Sequence, residues 1–422
     1  MKRIALIGNT CNNNFSMLRY FRDLGYQADL FLFSNEGHQN ENPIHNPEWD
    51  TWEINNWNNY IYRLNIPNGI EAVIGRPDKF RLPPNLMRTK KFFEKYDYFI
   101  GSGITPSLFV RMNKKLNIFY PYSTGIEWVN ESENLKKLRT FNLEWPFRKY
   151  ILHTQLKGIN NSLNVCSHGA GNNGINAKIY NKYNIKAKYI HTPQYYNREI
   201  TNKLPSSSTL IEIRNKFNRN NFNIFSFMRQ LWVYRENEYP LDTWNTLNKH
   251  NDWLIKGFHN LINISDNIKA KLFLSSVGPD INDSKKLIND LNLNNHVVWI
   301  PLLARREVTY ILNNYADLAV GQFVCSPGET SGSTTWESVA AGIPLIDSFN
   351  FTNEEFNEQF GIEKPPFILE IKDEKDVSKY LIDCFNNIET YKTLAKLNKE
   401  WFDNYNGISL ARKWLDILGI DS

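Results

Sequence analysis

Residues 322–347 read QFVCSPGETSGSTTWESVAAGIPLID, and the fold turns on how this stretch is understood. Its first half is small and polar, with Gly328, Ser331, Gly332, Ser333, Thr334 and Thr335. Its second half, 336–341, has the composition of a short helix that stops before Gly342 and Pro344. The stretch is therefore a loop feeding a helix. Unpaired N–H groups at a helix start favour an anion, phosphate above all, and small residues let the backbone approach it. Glu329 in the loop and Glu337 in the helix bracket the segment. The same residue types also make an ordinary capped turn, so the rest of the chain has to decide between a ligand site and a cap.

At 422 residues the chain exceeds one ordinary core, and two domains of roughly 200 residues are expected. A hydrophobic fraction of 41% and a charged fraction of 22% describe a folded globular protein and exclude long disorder. A net charge of +5 permits an acidic small ligand or an anionic membrane surface, but shows no concentrated basic stripe of the kind nucleic acid requires. Cys11, Cys166, Cys325 and Cys384 lie far apart, with no redox or metal-ligand pairing, which points to a reduced, cytoplasmic setting. The start, MKRIALIGN, breaks at Gly8 without a cleavage pattern and reads as a first strand. No apolar run is long enough to span a membrane.

Read outward from the central stretch, the chain alternates strands and helices. Residues 3–7 are an apolar run that opens at Gly8 and Asn9, a helix follows over about 15–24, and 28–33 form a second strand, the opening of a doubly wound sheet. Ligands of such sheets bind beyond the strands' C-terminal ends, so Gly8 and Asn9 line a candidate pocket. No G-x-G-x-x-G fingerprint is present. Residues 34–76 are polar and weakly periodic, and their elements stay unassigned. Between Arg76 and Phe93, basic and apolar residues are mixed, as in a membrane-surface helix or in a solvated helix with a buried side. Further strand tips fall after 98–100, after 117–120, after 163–166, where His168 stands beside Gly169, and after 188–191. Residues 204–208, LPSSS, read as a linker, and a second alternating series follows with strands at 223–228, 271–275, 297–300 and 318–320. The expected division is thus 1–204, 205–396 and an amphipathic C-terminal helix within 397–422.

Arg229 follows the first strand of the second half, Lys256 lies in the next helix, and the Ser/Gly/Thr loop comes near the end. A parallel sheet can gather all three at one edge, where two cations and a helix start suit a diphosphate. Glu337 would sit beside the diphosphate, on a sugar hydroxyl pair. The order FMR ending at Arg229, Lys256-Gly257, VGPD, HVVWIPLL, ADLAV and then Glu329-TSGSTTW-Glu337-SVAAGIPLI resembles the C-terminal domain of the retaining GT-B glycosyltransferases of family four. The two glutamates have that family's seven-residue separation, and the likeness is specific from about 225 to 346.

The resemblance implies an α/β fold of two Rossmann-like domains facing a central cleft, and a nucleoside diphosphate sugar as co-substrate with no cofactor and no obligatory metal. It implies that Glu337 holds the ribose, that Arg229 and Lys256 hold the diphosphate, and that Glu329 meets donor sugar hydroxyls. The backbone of Ser331, Gly332, Ser333 and Thr334 would meet the diphosphate or sugar, and the Pro301-Leu302 turn the base. The last helix would cross back to the first domain. Relatives often carry a catalytic His after a middle strand of the first domain. Here that tip has none, which leaves Ser123, Thr124 and Glu127 as cleft candidates along with His168. The expected activity is retaining transfer of a sugar to a glycan, lipid-linked or protein acceptor, in the cytoplasm or peripherally at the inner face of the membrane, in polysaccharide or protein-glycan assembly. The alternatives are a sugar-nucleotide epimerase on the same plan and a non-catalytic nucleotide-sugar-binding subunit.

Overall fold

The computed structural model describes residues 2–34, 45–66, 84–121, 145–167, 177–193, 195–199, 207–238, 241–265, 267–323, 332–349 and 351–420. The chain forms two compact units. One comprises Met1–Tyr196, Glu354–Glu363 and Asn406–Ser422, and the other Asn197–Asn353 and Lys364–Tyr405.

The first unit runs β1 (Arg3–Ile7), α1 (Asn13–Asp23), β2 (Gln27–Leu32), β3 (Ile61–Arg63), α2 (Pro84–Phe93), β4 (Tyr98–Gly101), α3 (Thr105–Arg111), β5 (Ile118–Phe119), α4 (Trp145–Asn161), β6 (Asn164–Ser167), α5 (Ala177–Lys182) and β7 (Ala187–Tyr189). Its strands make one parallel sheet in the order β3-β2-β1-β4-β5-β6-β7. Side chains alternate between faces along a strand. Accordingly Ile4 and Leu6 of β1 join a core with Phe15 and Leu18 of α1, while Ala5 and Ile7 join another with Phe93, Phe99 and Phe109. Both faces are covered, which is why these strands read as unbroken apolar runs. In α2, Leu86 and Phe93 are buried while Arg88 and Lys91 are exposed, the arrangement of a solvated helix with one buried side.

The second unit runs α6 (Ser208–Arg214), β8 (Phe222–Ser226), α7 (Leu241–Leu247), α8 (Asn251–Ile262), β9 (Ala270–Ser275), α9 (Ile281–Asp290), β10 (Val297–Ile300), α10 (Arg305–Asn314), β11 (Leu318–Val320), α11 (Ser333–Ala341), β12 (Leu345–Asp347), α12 (Asn353–Phe360), which crosses into the first unit, β13 (Leu369–Glu370) and α13 (Glu374–Tyr405). Its parallel sheet has the order β10-β9-β8-β11-β12-β13. Leu254, Ile255, Phe258 and Leu261 recur at helical spacing along α8 and bury against Ile224, Leu272 and Val320, with Val377 and Leu381 of α13 completing the layer.

The chain ends in α14 (Gly407–Ile417), grouped with the first unit, where Trp414 Nε1 donates to the His191 carbonyl at 2.8 Å. The single helix expected over 397–418 is therefore two. Gly407 has φ +54°, a left-handed backbone that breaks the helical path, and the Asn406 side chain accepts from the Gly407 amide.

The close packing of α3 on α4 rests on Gly158, where a Cβ would lie 2.2 Å from the Pro106 carbonyl oxygen. Because that neighbour is backbone, it cannot swing aside. Gly158→Ala is expected to destabilise the chain by about 1–3 kcal/mol, measured by urea unfolding. An unchanged midpoint would show that the helices separate freely.

Candidate functional site

In the second sheet the chain starts at β8, builds outward to β10, then returns to β8's other side with β11. The C-terminal ends of β8 and β11 are thus the switch point, where open α/β sheets hold their ligands. Four segments meet there: the loop after β8 carrying Arg229, the turn before α8 carrying Lys249, the end of β11 carrying Gln322, and the start of α11.

The loop after β8 is held rigidly. Gln230 is fully buried, with Nε2 donating to the Ser275 carbonyl and Oε1 accepting from Ser284 Oγ at 2.9 Å. Gly278, at φ +124°, lies against Gln230, so a Cβ there would fall 2.2 Å from the Gln230 carbonyl oxygen. Asp280 Oδ2 accepts from the amides of Trp232 and Val233 at 2.6 and 2.8 Å. Arg229, beside this network, is exposed and has no ion pair among the described residues.

Leu231 ties this loop to the start of α8. Its amide donates to Asn251 Oδ1 at 2.9 Å, and its carbonyl accepts from the Lys249 amide at 2.7 Å. Lys249 is thereby aimed at β11, where its ammonium donates to Gln322 Oε1. The other end of the Gln322 amide fills the space over Gly332, where a Cβ would lie 1.8 Å from Nε2. Gly332 is the N-cap of α11 and supplies no capping side chain. Among the described residues the first N–H groups of α11 therefore carry no side-chain cap, beside an ammonium. Ser333 is exposed, and the hydroxyl of Thr334 is buried with no hydrogen-bond partner among the described residues.

Two carboxylates lie behind this edge. Glu337, 5% exposed, accepts from Arg305 Nε at 2.7 Å, a pair joining α10 to α11. Asp347 ends β12, takes a hydrogen bond from Thr335 Oγ1, and burial pushes its pKa up to about 7.

The structure redistributes the expected residues. Lys256 sits on α8, where its ammonium binds Asp252 at 2.9 Å and Glu374 at 3.1 Å, a surface ion cluster with carboxylates of α8 and α13. Lys249 stands at the strand edge, where its ammonium meets Gln322. Gly257 serves helix packing, since a Cβ there would be 3.1 Å from Val377. Gly332, Ser333 and Thr334 form the start of α11 and Glu337 lies one turn further along it, Arg229 is exposed on the loop after β8, and Pro301 and Leu302 are exposed after β10. Glu329, Ser331, Ser123, Thr124, Glu127 and His168 lie outside the described residues.

In the first unit Gly8 and Asn9 follow β1 at the corresponding switch point. Asn9 is fully buried, and its amide donates to Asn12 Oδ1 at 2.7 Å and to the His45 carbonyl at 2.9 Å while accepting from the Phe15 amide at 3.0 Å. It is a brace for the loop. The brace holds Cys11 and Asn12 at φ 52° and 59°, left-handed values that asparagine tolerates and that are strained for a cysteine. His45 completes it by accepting the Cys11 amide at Nδ1, 2.8 Å away, and burial lowers its pKa, which favours the neutral ring that bond requires.

The Arg305–Glu337 pair carries its own prediction, because removing one partner of a buried pair takes a charge-assisted hydrogen bond from the other. Arg305→Leu is expected to destabilise the chain by about 3–5 kcal/mol, and adding Glu337→Leu to recover most of it. Denaturant unfolding of both variants checks this, and equal losses in the single and double variants would show that the pair is not coupled.

No family model matches the sequence, and no curated protein does. Solved structures do. HepE of Anabaena, in complex with UDP and glucose, superposes with a TM-score of 0.58 at 12% identity, covering 99% of this chain and 100% of the other. TarM gives 0.55 at 14% identity over 99% of each chain. The pneumococcal O-GlcNAc transferase GtfA, in complex with UDP and GlcNAc, gives 0.52 at 10% identity over 99% and 98%. At such identities the likeness is one of fold, and it spans the whole chain: this protein has the two-domain GT-B architecture of these glycosyltransferases.

Proposed function

We propose that the protein is a glycosyltransferase that takes a sugar from a nucleoside diphosphate sugar, with the donor diphosphate seated on the α11 start between Lys249 and Arg229. The observation that carries this reading is the Lys249–Gln322–Gly332 arrangement, which sets an ammonium beside the start of α11, whose N-cap Gly332 supplies no side chain. Glu337, oriented by Arg305, is the partner for the ribose hydroxyls, and the buried Thr334 hydroxyl is a further donor for an anionic oxygen. The full-length likeness to proteins solved with UDP supports a uridine diphosphate sugar as the first donor to test.

Retention of configuration is part of the proposal. The bond from C1 to the phosphate oxygen breaks, the acceptor oxygen attacks C1 from the same face, and the acceptor proton passes to the departing phosphate. The charge that builds on that phosphate is met by Lys249, Arg229 and the helix amides. The acceptor is a glycan, a lipid-linked sugar or a protein side chain.

Incubation with a panel of nucleotide sugars and candidate acceptors, following release of nucleoside diphosphate and the glycosylated product, tests the reading. Lys249→Ala is expected to lower turnover by about 100-fold or more, whereas Lys256→Ala stays within a few-fold of wild type. Chelation is expected to leave activity intact. Turnover that survives Lys249→Ala, or that needs manganese after chelation, contradicts the site as drawn. Release of an altered free sugar without acceptor would identify an epimerase.

A further inference from the structure

We propose that Asp347 is a positioning residue behind the donor diphosphate and takes up a proton from solvent when the diphosphate binds; the proposal rests on the donor-site reading above. Asp347 shares its neighbours with the anion pocket. It is 1% exposed, and its Oδ2 accepts from Thr335 Oγ1 in the first turn of α11. It lies so close to the end of β11 that a Cβ on Gly321 would fall 1.9 Å from Oδ2. The Gln322 and Ser348 backbone amides and the Lys249 ammonium favour its charged form. The Gln322 side chain in turn holds that same ammonium and packs on Gly332.

A carboxyl group in this position has two effects. As a hydrogen-bond acceptor it fixes Thr335, and with it the first turn of α11. As a negative charge it competes with an arriving diphosphate for Lys249 and for the field of the helix start. Protonation removes the competition and leaves the side chain in place. Burial has already brought the group to about 7, so the proton is exchangeable near neutrality. A bound diphosphate disfavours the charged form further, and by linkage the donor binds best below that pH and less well as pH rises through it.

Of the groups around Asp347, the Lys249 ammonium is held by the Gln322 side chain, and Thr335 and Gln322 are uncharged. Glu370, its register partner on β13, is paired with Lys364. His250, next to Lys249, is shifted downward by burial, away from this range.

The test uses the full chain and the tightest binder among UDP-glucose, GDP-mannose and ADP-glucose, whose phosphates stay singly ionised between about pH 6 and pH 8.5. Calorimetry at pH 7 in two buffers of different ionisation enthalpy is expected to show net proton uptake. Affinity is expected to fall several-fold across the range, at most about tenfold per pH unit. Asp347→Asn is expected to flatten the profile near the acidic-limit affinity. Thr335→Val, which removes a donor to the carboxylate, moves the fall to higher pH. Binding without proton uptake in the wild type, or an unchanged slope in Asp347→Asn, overturns the role of Asp347 and leaves the donor site standing. Absence of binding by every probe at every pH removes the donor reading, and this proposal with it.

Discussion

The second unit depends on the side-chain amide of Gln322, which stands between a lysine and a glycine. Its oxygen takes the Lys249 ammonium, and its nitrogen fills the space over Gly332 that any side chain would need. One residue at the end of β11 therefore fixes both the cation and the helix start, although Lys249 arrives from a turn 73 residues earlier. A parallel sheet makes this economical, because every strand end faces the same way and crossover helices begin near that edge.

Around the amide, two buried carboxylates are handled differently. Glu337 has a guanidinium partner, Arg305, so its charge is compensated. Asp347 has hydrogen-bond donors and a lysine nearby but is almost fully enclosed, and burial dominates its titration. Both are fastened to α11, whose Trp336 stacks on Trp401 of α13 with ring centroids 5.9 Å apart. The start of α11 is therefore backed by packed aromatic surface.

The fold was legible wherever burial leaves a local signature. β1, β8 and β9 are apolar runs because their faces are covered by helices, and α8 carries its core residues at helical spacing. β3 left no such mark: among the described residues it is an edge strand paired with β2 alone, with no buried residue. The helix of the opening stretch starts at Ser333, three residues before the point at which composition alone begins it, because Gly332 and the polar residues after it are the first turn and not a loop. Lys249 could not be found from its surroundings, TLNKHND, which are polar and without period; its partner is distant in sequence. Lys256, placed by sequence in the helix after β8, has its ammonium in an ion cluster with Asp252 and Glu374, and Gly257 lies at a helix contact, neither of which shows in the local sequence. Arg305 was hidden for the same reason as Lys249, since its role exists only once α10 and α11 are side by side.

The most direct measurement is a crystal structure of the chain with bound UDP. Phosphate oxygens are expected within hydrogen-bond distance, about 2.7–3.2 Å, of Lys249 Nζ and of an amide in the first turn of α11, with Lys256 still held by Asp252 and Glu374. A diphosphate bound to Lys256, or bound elsewhere while the α11 start stays empty, would contradict this expectation.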